Sequence, residues 1–295
     1  MKKVLSVFIA MAALWYPSSS VFAQGMATFP INQSYGAYGE RATGSGFLGT
    51  PRLYFGRLEH TNASVWSLQR RSGTGTAAWP LRGYWLGAST DLSLSAPLGL
   101  LVSGSVFLPQ NSAATWYPEP VGTAYDFEVP SYDWWSADAL AKYSVAGGLD
   151  VLAGLRWDHT STRVSYFDNT DDDYILNAYI PLFGVQLSQR SSYGSLLIRA
   201  VGSPWVAGRL KYHFWTRTAY AEFGDFDANS GYYAELFADY SLKITGNVGL
   251  GGFLKWNALH LYTAEQNLSG SNTEPISWSV DIKSWTFGAS LSVGL

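Results

Sequence analysis

From Trp285 to the C-terminus an apolar side chain stands at every second position (Trp285, Phe287, Ala289, Leu291, Val293, Leu295), with Thr286, Gly288, Ser290, Ser292 and Gly294 between them. Period-two alternation describes a β-strand whose two faces meet different surroundings. Apolar toward lipid and polar toward an interior is the pattern of a transmembrane barrel strand, and this one is expected to end in the periplasm.

The alternation recurs upstream. Val248, Leu250, Gly252, Leu254, Trp256 and Ala258 are expected outward, with Lys255 and Asn257 opposite. Tyr232, Ala234, Leu236, Ala238 and Tyr240 are expected to face lipid, Glu235 and Asp239 the lumen, and Ile244-Thr245-Gly246-Asn247 makes a tight periplasmic turn. Strand 174–188 carries Tyr174, Leu176, Ala178, Ile180 and Leu182 on one face. Strand 149–162 turns Val151, Ala153, Leu155 and Trp157 outward, and strand 132–146, joined to it at Gly147-Gly148, turns Trp135, Ala137, Ala139, Ala141, Tyr143 and Val145 outward. Strand 80–96 turns Tyr84, Leu86, Ala88, Thr90, Leu92 and Leu94 outward and leads through Pro97-Leu98-Gly99 to strand 100–108.

Polar stretches at 72–77, 109–131, 168–173, 218–230 and 263–275 are expected as surface loops. Before the fourth of these, Leu210, Tyr212 and Phe214 alternate with Arg209, Lys211 and His213, the latter three expected in the lumen, and Gly202-Ser203-Pro204 reads as a bulge. One further strand is expected between Arg52 and Arg70. The fold class is therefore all-β, a transmembrane antiparallel up-and-down β-barrel of about ten strands, or twelve if 51–60 and 63–71 form a hairpin of their own.

At the N-terminus Lys2 and Lys3 precede an apolar run from Val4 to Trp15, and small residues lead to Val21-Phe22-Ala23. This predicts a signal peptide over 1–23, a periplasmic segment over 24–50 and the barrel over 51–295, in the outer membrane of a Gram-negative bacterium after Sec export. Aromatic residues make up 16% of the chain, with 13 Trp and 19 Tyr, which suits interfacial girdles. A formal net charge of −3 offers no basic field for nucleic acid, and the absence of Cys excludes disulfides and thiolate chemistry.

The expected lumen carries Asp138, Lys142, Asp150, Arg156, Asp158, Arg209, Lys211, His213, Glu235, Asp239 and Lys255. In a barrel of this size the side chains nearly fill the interior, so mixed charges favour an internally paired network, a selective pore being the competing reading.

Four stretches carry a resemblance: Ile180-Pro181-Leu182-Phe183-Gly184-Val185-Gln186, the strand ending Leu210-Lys211-Tyr212, Gly231-Tyr232-Tyr233, and Ser284-Trp285-Thr286-Phe287-Gly288. Over 174–295 the chain resembles the second half of the omptin family, ten-stranded outer-membrane proteases with both termini in the periplasm. The resemblance implies an Asp-x-Asp pair in the second surface loop facing an Asp-x-His pair in the fourth, the Asp-His couple activating a water that the other carboxylates position. Here the second loop offers Asp126-Phe127-Glu128 and the fourth Asp225-Phe226-Asp227. The family's histidine is thus replaced by Asp227, and a carboxylate with an ordinary pKa near 4 is a poor base at neutral pH. The competing reading makes Asp126, Glu128, Asp225 and Asp227 solvated loop carboxylates.

Other chemistry is thinly represented. Asp171-Asp172-Asp173 lacks the glycine and terminal Glu of an EF-hand, so no metal is expected. Ser161 near His159 is a weak Ser-His candidate, His260 tops another strand, and Arg217 could grip a lipid phosphate. No cofactor is expected, a dependence on lipopolysaccharide being the open case. Expected partners are outer-membrane lipid and lipopolysaccharide, and the barrel-assembly machinery during biogenesis. The function expected is a non-proteolytic barrel of omptin-like architecture with a structural, adhesive or binding role through its surface loops. A divergent surface endopeptidase and a small-solute pore are the alternatives.

Overall fold

Strands that face lipid on one side and a packed interior on the other must satisfy every backbone group laterally, which only a closed sheet achieves. The computed structural model describes residues 49–60, 64–70, 73–79, 82–110, 113–118, 125–165, 170–216, 221–245, 247–267 and 275–293. The signal-peptide and N-terminal-segment assignments, Asp168 and Arg217 lie outside these residues.

The strand segments are β1 (Gly49–His60), β2 (Ser64–Arg70), β3 (Gly73–Trp79), β4 (Arg82–Ser95), β5 (Leu98–Pro109), β6 (Ala113–Pro118), β7 (Tyr125–Ala146), β8 (Leu149–Ser165), β9 (Thr170–Arg190), β10 (Gly194–Ser203), β11 (Ala207–Thr216), β12 (Ala221–Lys243), β13 (Val248–Thr263) and β14 (Ser277–Val293). All pairings are antiparallel. The lower ring runs β1-β4-β5-β7-β8-β9-β10-β12-β13-β14 and closes where Phe55 meets Ala289. The upper ring substitutes β2, β3, β6 and β11 for β1, β4, β5 and β10, and closes where Ser279 meets Ser67. Among the described residues ten strands surround the interior at either level. Because β1 and β2 stack along one wall position, β1 pairing with β4 and β2 with β3, the twelve-strand alternative falls.

The lower wall follows the expected alternation. Leu155, Phe183, Leu236, Leu250, Leu254 and Phe287 are exposed on its outer face, as lipid-facing side chains are. Tyr143, Tyr193 and Tyr240 mark the lower edge of this band, and Tyr84, Trp157, Tyr179, Trp205, Tyr232 and Trp285 the upper. Gly147 and Gly148, at φ 55° and 84°, supply the left-handed conformations of the β7–β8 turn.

The interior is layered. Lowest are polar groups: Lys142 with Asp91 and Asp150, Arg52 with Asp239, and the Ser195–Ser241 hydroxyl pair. Above them Tyr54, Trp85, Phe237 and Phe253 form a cluster with ring centroids 5.2–6.2 Å apart. Gly87 makes room for it, since a Cβ there would lie 2.3 Å from the Trp85 ring. Next comes a charged layer around Arg156, and above that Leu176, Leu210, Phe226, Leu261, Trp278 and Val280, all at most 1% exposed. Each such large side chain withdrawn from water contributes about 1.5–3 kcal/mol.

Above the girdle the sidedness reverses on β7, on β12 and between β10 and β11, while β8, β13 and β14 keep one face inward throughout. The stretches read as loops 72–77, 109–131 and 218–230 are largely strand: β3, β6 with the start of β7, and the start of β12. Asp171, Asp172 and Asp173 likewise belong to β9. On the described part of the β12 extension Phe226 and Ala228 are buried and Asp225 and Asp227 exposed, whereas on β9 Asp172 is buried. Three irregularities accomplish the reversal. On β12, Ala228 pairs with Thr263 and Ser230 with Tyr262, leaving Asn229 as an extra residue. Between β10 and β11, Gly202 pairs with Phe183 and Ala207 with Tyr179, so four residues face three on β9. Pro204 and Pro181, both without an N–H, lie at this level. On β7, the partner shifts from Ser165 at Glu128 to Arg163 at Ser131, again one extra residue. An added residue in a period-two pattern exchanges the two faces.

Candidate functional site

The candidate carboxylates stand just beyond two of these bulges. On β12, Tyr233, Glu235, Phe237 and Asp239 are buried below Asn229, whereas Phe226 and Ala228 are buried above it. Strict alternation from Glu235 would aim Asp225 and Asp227 into the interior. The extra residue aims them outward, where their side chains are 46% and 72% exposed. Gly231 sits beside the bulge at φ 154°, and a Cβ there would meet the His260 carbonyl oxygen at 2.2 Å.

Arg209 and Lys211, expected in the lumen, are exposed on the outer wall instead; His213 shares their face of β11 by alternation. The cause is the extra residue near Pro204, which brings Leu210 and Tyr212 inward. Arg209 Nε lies 3.3 Å from Oδ1 of both Asp225 and Asp227, and Lys211 pairs in register with Asp225. His213 stands opposite Asp173 in register. Asp126 and Glu128 lie on β7, paired with Thr115 and Ala113 of β6; their side chains lie outside the described residues. Val129, next to Glu128, is buried.

Glu235 and Asp239 are deep inside. Glu235 accepts hydrogen bonds from Arg199 at 2.8 Å and the Tyr233 hydroxyl at 2.8 Å, with Lys255 at 3.0 Å and Arg156 at 3.6 Å. Arg156 also binds Asp138 at 3.0 Å and Asp158 at 2.8 Å, and Trp134 donates to Asp158. Three cations (Arg156, Arg199, Lys255) thus face three carboxylates (Asp138, Asp158, Glu235), a balanced set. Asp239 accepts from Arg52 at 3.0 Å and from Ser290 at 2.6 Å. Arg52 and Arg199 were missing from the expected lumen set; Arg199, between Ile198 and Ala200, carried a usable signal in its parity with Leu197 and Val201.

His159 and His260 are engaged on the outer wall. His159 stacks on Trp135 with its Nδ1 2.8 Å from Asn177 Oδ1, so it is not aimed at Ser161. His260 stacks on Tyr232, with Nδ1 3.8 Å from Asp281. Among the described residues no group of three or more His, Asp or Glu is placed to hold a metal ion.

No family model matches the sequence, and no curated protein matches it. Among solved structures, the outer membrane protease OmpT from Escherichia coli is similar with a TM-score of 0.66 at 12% identity, over 84% of this chain and 97% of OmpT. The chain is an omptin-like barrel in fold. The translocator domain of the autotransporter NalP from Neisseria meningitidis also aligns, with a TM-score of 0.39 at 9% identity over 86% of this chain and 90% of that one, too low to bear on the assignment.

General-base hydrolysis needs a base, a positioned water and a polar cradle within hydrogen-bond reach of one another. At this level Leu176, Leu210, Phe226, Val280 and Trp278 occupy the interior, and Asp225 and Asp227 stand on the far side of the wall. Asp172, a carboxylate at this level, is buried and accepts from the Tyr174 hydroxyl at 2.9 Å and the Tyr212 hydroxyl at 3.3 Å.

Proposed function

We propose that this protein is a sealed, non-proteolytic outer-membrane barrel of omptin-like architecture that serves a structural, adhesive or binding role through its cell-surface end. The observation that carries this reading is the Asn229 bulge, which turns Asp225 and Asp227 away from the interior and puts Phe226 there in their place. A pair of carboxylates held by Arg209 on an outer wall has no access to a peptide entering the barrel mouth. Outer-membrane lipid and lipopolysaccharide are its proposed partners, and export by the Sec route followed by the barrel-assembly machinery its proposed path.

A peptide library tests the reading. The mature chain, refolded in detergent with lipopolysaccharide and shown to be folded by heat-modifiable migration, is expected to leave the library intact, as is Asp225→Asn. Cleavage by the wild type that disappears in Asp225→Asn would establish the alternative, a divergent endopeptidase.

A further inference from the structure

The apolar upper layer contains a polar seam. Along β8 the inward side chains run Asp158, Thr160, Thr162, Val164, and Thr162 stands in register with Tyr132 on β7 and Tyr174 on β9. The Tyr132 hydroxyl, Thr160 Oγ1 and Thr162 Oγ1 are buried, in residues 4%, 3% and 2% exposed, and none has a hydrogen-bond partner among the described residues. Their neighbours are already committed: Asp158 receives Trp134 and Arg156, and the Tyr174 and Tyr212 hydroxyls go to Asp172.

A buried hydroxyl left without a partner costs about 1–3 kcal/mol, so three together on two adjacent strands are a strong demand for an occupant. Threonines two apart on one face of a strand are about 7 Å apart, beyond a direct hydroxyl–hydroxyl bond and within reach of one or two bridging waters making bonds of about 2.8 Å. Buried waters typically make about three hydrogen bonds, the number of groups available here.

We propose that Tyr132, Thr160 and Thr162 form an internal water-binding site inside the upper barrel. The site is a hydrated inclusion between the Asp158 end of the charged layer, which bounds it below, and the Asp172–tyrosine cluster. Its ligand is water, because hydroxyls alone, with no free charge, supply the donors and acceptors. The proposal stands independently of whether the barrel cleaves peptides.

Two measurements on the refolded full barrel test it. Hydroxyl-radical footprinting labels buried side chains beside bound water, so Tyr132 is expected to be oxidised several-fold faster than Tyr233, which is likewise buried but donates to Glu235. Thr160→Val and Thr162→Val, near-isosteric changes, each remove a water partner and are expected to lower the melting temperature by a few degrees. In a dry site the same changes delete an unsatisfied hydroxyl and leave the melting temperature unchanged or raised. That result, or Tyr132 labelling no faster than Tyr233, overturns the proposal; the wild-type labelling decides it even if a valine variant does not fold.

Discussion

Arg209 Nε stands 3.3 Å from Asp227 Oδ1 on the outer wall of the upper barrel, across the β11–β12 pairing that joins the two residues in register. Both side chains are more than half exposed, so the attraction acts through water, is screened by salt and offsets the entropy of ordering two side chains. Arg209→Ala and Asp227→Ala are each expected to change unfolding free energy by less than about 1 kcal/mol. Urea unfolding of the refolded barrel, followed by tryptophan fluorescence, measures this. A loss of several kcal/mol would place the pair in a buried site instead.

Arg156 is the opposite case. Its guanidinium holds Asp138, Asp158 and, more loosely, Glu235, and only 2% of the side chain is exposed. Removing one member of a buried ionic set strands the others, a penalty of about 3–5 kcal/mol. Arg156→Ala is therefore expected to destabilise the barrel by about that amount or to prevent refolding. Asp138→Asn is expected to cost less when combined with Arg156→Met than when made alone, because the two act on one network. Unfolding curves of the wild type, the three single variants and the double variant read out both statements.

The balanced charged layer and the aromatic cluster beneath it put paired charges and packed rings across the lumen. Planar bilayers containing the refolded wild type are expected to show no stepwise conductance, and Arg209→Ala is expected to behave identically, since Arg209 lies on the outer wall. Single-channel steps that shrink in Arg209→Ala would restore the pore reading.

The lower barrel was legible in the sequence because lipid outside and charge inside make the alternation self-labelling: Leu236 and Tyr240 belong to one medium, Glu235 and Asp239 to another. Ten strands and their turns followed from that contrast. The upper barrel was not legible for a physical reason. Above the girdle, water lies outside and packed side chains lie inside, so Leu210 and Tyr212 alternating with Arg209 and Lys211 give the same period with the opposite sign. Only the bulges reveal the change of sign, and a single extra residue such as Asn229 leaves no mark in a polar stretch that also reads as a loop. Gly231 beside Asn229, and Pro181 opposite the Pro204 break, were the local cues available. The candidate site inherited this ambiguity, because Asp225 and Asp227 lie immediately past the reversal.

The orientation of β12 above Asn229 is the point on which the functional reading turns, and the cysteine-free chain makes it accessible. Single-cysteine variants Asp225→Cys, Phe226→Cys and Asp227→Cys, refolded and exposed to a bulky membrane-impermeant maleimide, report the facing of three consecutive residues. Rapid labelling at 225 and 227 with protection at 226 is the expected result, matching outward aspartates and an inward Phe226 that is 0% exposed. Protection at 225 and 227 with rapid labelling at 226 would turn the carboxylates into the barrel and contradict the account.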